Sequence, residues 1–139
     1  MSKLIYLAGG ITGLSQSEYE GWRIRLKKMI EDISCLRWKC FNPCEHIPEL
    51  INDQVEKECF ELDLYKLKHS SIVVCDFDHP NSIGTTWELA VAKELGIPII
   101  GYSTSDIPVH PWWRISAMHI CNSIDDLYDY LCEHFLNED

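Results

Sequence analysis

Two carboxylates, Asp63 and Glu88, stand at positions where an enzyme could use them. Glu88 closes the stretch Ser82-Ile83-Gly84-Thr85-Thr86-Trp87-Glu88, which lies between the apolar run Ile72–Cys75 and a helix-forming segment. That spacing places Glu88 in the first helical turn, at the edge where a ligand would sit. Thr85-x-x-Glu88 is also the pattern of a capping box, in which the carboxylate only satisfies an orphan backbone N–H. Spacing alone leaves both readings open. Asp63 lies one helical turn from Cys59, Phe60 and Leu67, at the border of an apolar face. It is either a surface aspartate or a half-buried one that needs a partner or a raised pKa. Two carboxylates converging on one pocket would suit glycosidic chemistry, one as nucleophile and one handling a proton.

Other residues could bind rather than react. Gly9-Gly10-Ile11-Thr12-Gly13 follows an apolar run. Glycines there let a backbone approach a ligand closely, and the N–H groups could cradle an anion or a sugar hydroxyl. The G-G-x-x-G spacing is not that of a dinucleotide fingerprint, and a plain tight turn reads equally well. Ser82, with the N–H groups of a helix start behind it, offers a phosphate site. Cys35, Cys40, Cys44 and His46 form C-x4-C-x3-C-x-H, which misses the paired spacing of zinc sites, so no metal and no cofactor is expected. His69, His79, His119 and His134 are scattered and read as packing or solvent-facing residues. Trp112-Trp113-Arg114 reads as ordinary packing, a lid or a subunit contact.

The elements that must position these residues alternate. Strands are expected at Lys3–Ala8, Leu36–Phe41, Ile72–Cys75, Ile97–Tyr102 and Ala117–Cys121. Helical periodicity marks Ser17–Ile33, with apolar residues at Tyr19, Trp22, Leu26, Met29, Ile30 and Ile33. It also marks Val55–Lys68, with Val55, Cys59, Leu62 and Leu67 near one stripe, and Thr86–Leu95, stopped by Gly96 and Pro98. A last helix follows Ser123 and carries Ile124, Leu127, Tyr128, Leu131 and Phe135 on one side. Residues 103–116, with Pro108 and Pro111, read as an irregular loop. Continuous apolar strands alternating with helices predict an α/β fold, a doubly wound five-stranded parallel sheet covered on both faces. Such sheets bind ligands beyond the carboxyl ends of their strands, so the loops at 9–16, 42–54, 76–86 and 103–116 are the ones that matter.

A chain of 139 residues is one domain's worth, 1–139. Twelve Lys and Arg against 22 Asp and Glu give a formal charge of −10, which disfavours nucleic-acid polymers and anionic membranes as partners. No apolar stretch reaches the roughly 18 residues that span a bilayer, and Leu4–Ala8 is too short for a signal-peptide core. Seven scattered cysteines suit free thiols in a reducing compartment, so a cytoplasmic protein is expected.

In order along the chain, Ile5-Tyr6-Leu7-Ala8-Gly9, Phe41-Asn42-Pro43, Asp63-Leu64, Gly84-Thr85-Thr86-Trp87-Glu88 and Gly96-Ile97-Pro98-Ile99-Ile100 resemble the nucleoside 2-deoxyribosyltransferase family, over roughly residues 3–102. The resemblance implies a single-domain, flavodoxin-like or Rossmann-like three-layer fold that forms homodimers or higher oligomers. It implies cleavage of the N-glycosidic bond of a nucleoside, with transfer of deoxyribose to a free nucleobase. Carried over, Glu88 is the nucleophile, Asp63 assists protonation of the leaving base, and Tyr6 orients the glutamate. Gly9, Gly10, Ile11 and Thr12 hold the sugar, and Pro43, Ser82, Gly84 and Thr85 complete the substrate site. Many members carry Asp where Ser82 stands and Pro where Gly10 stands. Ser82-Ile83-Gly84 instead looks like the related nucleoside 5′-monophosphate N-glycosidases, in which a serine contacts the phosphate. The alternatives are therefore hydrolysis of a nucleotide or, in a different class, a non-catalytic nucleotide-binding module. The net negative charge favours the nucleoside.

Overall fold

The computed structural model describes residues 2–137, with only the backbone of His46. Five strands, β1 (Lys3–Ala8), β2 (Trp38–Phe41), β3 (Ile72–Asp76), β4 (Ile99–Tyr102) and β5 (His119–Cys121), form one parallel sheet in the order β2-β1-β3-β4-β5. The parallel sheet is the one that the alternating pattern predicts, its order is the flavodoxin-like one of the two that the resemblance implies, and its switch point lies at the carboxyl ends of β1 and β3. Tyr6 stands opposite Phe41 on one side and Val73 on the other, and Ala8 stands opposite Cys75.

Side chains alternate across the sheet, so each strand feeds two cores. On one face Ile5, Leu7, Val74 and Ile100 pack against α1 (Gln16–Ile33) and α5 (Ile124–Leu131), through Leu26, Ile30, Leu127 and Leu131. On the other, Tyr6, Val73 and Ile99 pack against Leu67 of α2 (Asp53–Lys68), Leu89 of α3 (Ile83–Glu94) and Trp113 of α4 (Pro111–Ser116). Each fully buried aliphatic or aromatic side chain contributes about 1.5–3 kcal/mol through removal from water. The chain after α5 continues in a wider π turn, Cys132–Leu136. Among the described residues, no helix is long and apolar enough to cross a membrane.

Three expectations need correction. The segment 103–116 is not wholly irregular: Pro111 starts α4 instead of breaking it, because a first-turn proline needs no N–H partner, and His110 caps the helix by accepting from Trp112 N. In α2 only Leu67 of the expected stripe is buried, and Leu62 is exposed. The amino-terminal half of that helix borders cavities rather than sheet. In α3 the cap is Ser82, whose hydroxyl accepts from Thr85 N, so no capping box forms at Thr85. Asn81 adopts a left-handed backbone, φ 71°, immediately before Ser82 and turns the chain into the helix there.

Candidate functional site

With Ser82 as cap, Glu88 falls in the second turn of α3, and its carboxylate is not needed at the helix end. It faces the sheet instead. Tyr6, completely buried in β1, donates its hydroxyl to Glu88 Oε2. Tyr6 reaches that carboxylate because the pleat points residues 6 and 8 toward the face that α2 and α3 cover. A cavity of about 340 Å³ opens above the pair, at the switch point. Its walls are the loop after β1 (Gly9, Ile11, Thr12), Pro43 after β2, Phe60 to Leu64 of α2 and the start of α3.

The structure brings the two carboxylates together, since Asp63 and Glu88 line the same cavity. Burial pushes the Glu88 carboxyl up to about 7; the hydrogen bond from Tyr6 works against this and the Asp63 charge adds to it. Burial also pushes Asp63 up to about 6, opposed by the Arg23 guanidinium. Burial, then the Glu88 and Asp63 charges, holds the Tyr6 phenol far above its ordinary range, so it remains a donor. Both carboxyls thus titrate near neutrality, where acid–base work at pH 7 needs them.

Of the other sequence candidates, Gly9, Ile11, Thr12, Pro43, Ser82, Gly84 and Thr85 all line the cavity, and Gly10 does not. Gly10 sits beneath the next turn, where a Cβ would lie 3.2 Å from the His79 carbonyl oxygen. At Gly9 a Cβ would lie 3.1 Å from that of Asp76 and 3.2 Å from the Trp22 ring, so the first glycine is a packing requirement as well as a ligand wall. Thr85 Oγ1 is buried without a hydrogen-bond partner among the described residues, as a group waiting for a ligand hydroxyl would be. Ile83 and Gly84, the first two residues of α3, turn toward the cavity the N–H end of the helix. The outer wall is apolar: Phe60 and Trp87 meet edge to face, with ring centroids 5.5 Å apart. No Lys or Arg is among the residues lining the cavity.

Arg23 was not singled out in the sequence, yet it is completely buried and organises the site from behind. Its Nε donates to the Leu7 carbonyl at 3.1 Å and Nη2 to the Gly9 carbonyl at 2.9 Å. Nη1 donates to the Tyr19 carbonyl and to Cys44 Sγ. One guanidinium therefore ties the end of β1, α1 and the turn after β2 together, stacked on Trp22 at 4.8 Å. The signal was present: Tyr19, Arg23, Leu26 and Ile30 follow the spacing of one helix face, and an arginine on a buried face must be fully hydrogen-bonded.

The remaining candidates lie elsewhere. Trp113 is buried, packs on Phe77 and donates its Nε1 to Thr86 Oγ1, while Trp112 is exposed; neither lines the cavity. Cys40 and Cys44 are buried thiols that burial pushes up to about 12 and about 11, and Cys35 is exposed. The side chain of His46 lies outside the described residues. His119 stacks on Tyr130. His79 is engaged by two carboxylates and is treated below.

No protein-family model matches the sequence. No curated protein matches it either. Solved structures do. A 2-deoxyribosyltransferase from Bacillus psychrosaccharolyticus superimposes with a TM-score of 0.75 at 21% identity, covering 91% of each chain. The chain has the fold of a 2-deoxyribosyltransferase. A conserved protein from Enterococcus faecalis V583 gives a TM-score of 0.77 at 18% identity, over 97% of this chain and all of the other. The CMP N-glycosidase BcmB of Clostridium botulinum gives 0.63 at 18% identity, over 94% of this chain and 99% of the other. The fold is therefore shared, over nine-tenths or more of the chain, with a protein described as a 2-deoxyribosyltransferase and one described as a CMP N-glycosidase.

Proposed function

We propose that this chain is a member of the nucleoside 2-deoxyribosyltransferase family that cleaves the N-glycosidic bond of a deoxynucleoside and passes the sugar to a second nucleobase. The observation that carries this reading is the meeting of Glu88, its Tyr6 donor and Asp63 in one cavity at the switch point. Glu88 attacks the anomeric carbon as the bond to the base breaks, giving a glycosyl-enzyme ester. Asp63, in its acid form, delivers a proton to the departing base. The incoming base then displaces Glu88 while Asp63 takes the proton back, so one hard displacement becomes two easier ones. Glu88 must be ionised for the first step. The Tyr6 hydroxyl favours that form, and so does positive charge developing at the sugar carbon.

A cavity lined by no cation supports a neutral nucleoside over a dianionic 5′-monophosphate. The competing reading, a monophosphate N-glycosidase, draws on Ser82 and the helix start beside it. Incubation with deoxynucleosides and with their 5′-monophosphates, each with and without a second base and resolved by chromatography, separates the two. A new nucleoside forming only when a second base is present is the expected result. Cleavage of monophosphates with nucleosides untouched would overturn it. Ser82→Ala should cost about 1 kcal/mol of stability through loss of the cap. It should leave nucleoside turnover within a few-fold of wild type, whereas a phosphate-binding role would show as a selective loss on nucleotides.

Tyr6→Phe tests the orienting hydrogen bond. Phenylalanine keeps the ring packed against Phe41, at 5.4 Å between centroids, and removes only the donor. The acidic limb of the pH–rate profile should move up by about one unit, since a hydrogen bond to a charged group is worth about 1.5–3 kcal/mol. An unmoved limb would separate Tyr6 from the ionisation of Glu88.

Exposed Phe60, Ile83 and Trp87 around the cavity mouth support a homo-oligomer. All seven cysteines are free thiols, which supports a reducing, cytoplasmic setting.

A further inference from the structure

On the opposite face of the sheet from Glu88 lies a second set of titratable groups that the proposed chemistry does not use. Asp76, the last residue of β3, is completely buried. It accepts from the Asp78 backbone N–H at 2.7 Å and from the Tyr102 hydroxyl, and its Oδ2 is 2.8 Å from His79 Nδ1. The other ring nitrogen, Nε2, is 3.4 Å from Glu18 Oε2 in the first turn of α1. Glu18 uses its second oxygen to accept from Ser15 N in the capping box that begins the helix.

Both ring nitrogens of His79 therefore face carboxylate oxygens. A neutral imidazole has one N–H and one lone pair, so it can serve only one of them, and the other contact becomes acceptor against acceptor. The imidazolium donates to both. We propose that His79 is a positioning residue which, as an imidazolium, clamps the β3–α3 turn to the start of α1 and so fixes the width of the substrate cavity.

The clamp spans two loops that both line the cavity and pack against each other at Gly10. The glycine loop, Gly9 to Leu14, runs from β1 to the Ser15 cap, and Gly10 lies directly under the His79 carbonyl. On the other side, the turn that carries His79 leads within three residues to Ser82 and the α3 wall. The link from Glu18 to His79 to Asp76 joins the start of α1 to the end of β3 across these two loops. Asp78, in the same turn, is held separately by Thr104 and Ser105. Arg23, the buried cation of α1, is occupied by the carbonyls already named. His79 is thus the cation that Asp76 and Glu18 share.

Burial alone would lower the His79 pKa; the hydrogen bond and charge of Asp76, then Glu18, outweigh it and hold it above the ordinary value. The sign follows. The clamp is complete below the ordinary histidine range and is lost as pH rises through the elevated value.

Two measurements test this, and only the second rests on the proposed function. Hydrogen exchange of residues 9–15 is followed from pH 6 to 9, corrected for the intrinsic rate, with His79 titrated in parallel by NMR. Protection of the glycine loop should fall roughly ten-fold through the His79 titration. The step should vanish in Glu18→Gln, which keeps a capping-box side chain because glutamine serves there as well as glutamate, and in His79→Gln. An imidazole titrating at or below 6.5, or a loop whose protection shows no step, overturns the clamp. For turnover of a deoxynucleoside, the wild-type KM divided by that of Glu18→Gln should rise several-fold through the same step, while the ratio of the two kcat values stays flat, because the titration of Asp63 and Glu88 is common to both proteins and cancels. A wild-type protein that turns over no nucleoside would sink the proposed function and leave the exchange result to decide the clamp. A hydrogen-exchange step that persists in Glu18→Gln overturns the clamp whatever the substrate.

Discussion

Glu88→Gln is expected to lower deoxynucleoside turnover by at least about 10³-fold while making the folded protein more stable at pH 8. The two effects have one cause. Glutamine fills the same space and still accepts the Tyr6 hydroxyl, but it cannot form the ester at the anomeric carbon. In the wild type, burial holds Glu88 at about 7 against an ordinary 4.5. A carboxyl whose pKa is raised by folding keeps its proton longer in the native state than in the unfolded chain. Stability therefore falls as pH climbs from about 4.5 to about 7, and the whole penalty persists above that. Removing the charge recovers it, by about 1–3 kcal/mol at pH 8 and by nothing at pH 4. Thermal melts at the two pH values, beside a rate assay, give the answer. Turnover near the wild-type rate would remove Glu88 from the chemistry. A loss of activity with lower stability at both pH values would make it a structural residue instead.

How much of this was legible in the residues depended on whether a pattern had one physical solution. Ile72-Val73-Val74-Cys75 is β-branched and uncharged, as a doubly covered strand requires, and the parallel sheet followed from the alternation of such runs with helices. The two carboxylates were legible as a pair mainly through the family resemblance, since spacing put Glu88 at the ligand edge but showed Asp63 only as bordering an apolar face. The cap of α3 was not. Ser82 and Thr85 are both acceptable caps three residues apart, and the choice was made by the left-handed turn at Asn81, which no local pattern fixes. Periodicity also reports that a helix is amphipathic without saying what covers it. In α1 Ile33 belongs to the apolar repeat yet is exposed, and Leu62 of α2 stands at a cavity rim. Arg23 was missed, and His79 was read as a packing or solvent-facing residue, for a related reason. Their roles depend on backbone carbonyls and carboxylates brought from other elements, and those partners are invisible until the chain is folded.

Burying acids next to each other costs stability, and the surroundings show how the cost is limited. A single cation, Arg23, is placed where its charge lowers both Asp63 and Glu88 without entering the cavity. Its hydrogen bonds go to three backbone carbonyls and the Cys44 sulfur, which hold it away from either carboxylate. The acids keep raised pKa values, and the walls stay fixed.

Asp63→Asn should slow base release by roughly 10²- to 10⁴-fold if the side chain delivers a proton. Asparagine keeps the size and hydrogen-bonding capacity of the side chain but carries no transferable acid. The loss should shrink as the leaving base becomes less basic, because a good leaving group departs without protonation. The pH profile discriminates further. Asp63 and Glu88 share one cavity, so the pair titrates together, with apparent values near 6 and 7. Wild-type kcat/KM should be bell-shaped, rising as one proton leaves the pair and falling when the second goes. In Asp63→Asn the alkaline fall should disappear and a single acidic limb should remain, still above the ordinary glutamate range, because burial, the main cause of the raised Glu88 value, is unchanged. A variant that slows good and poor leaving bases equally and keeps both limbs would reduce Asp63 to a contact that positions the base.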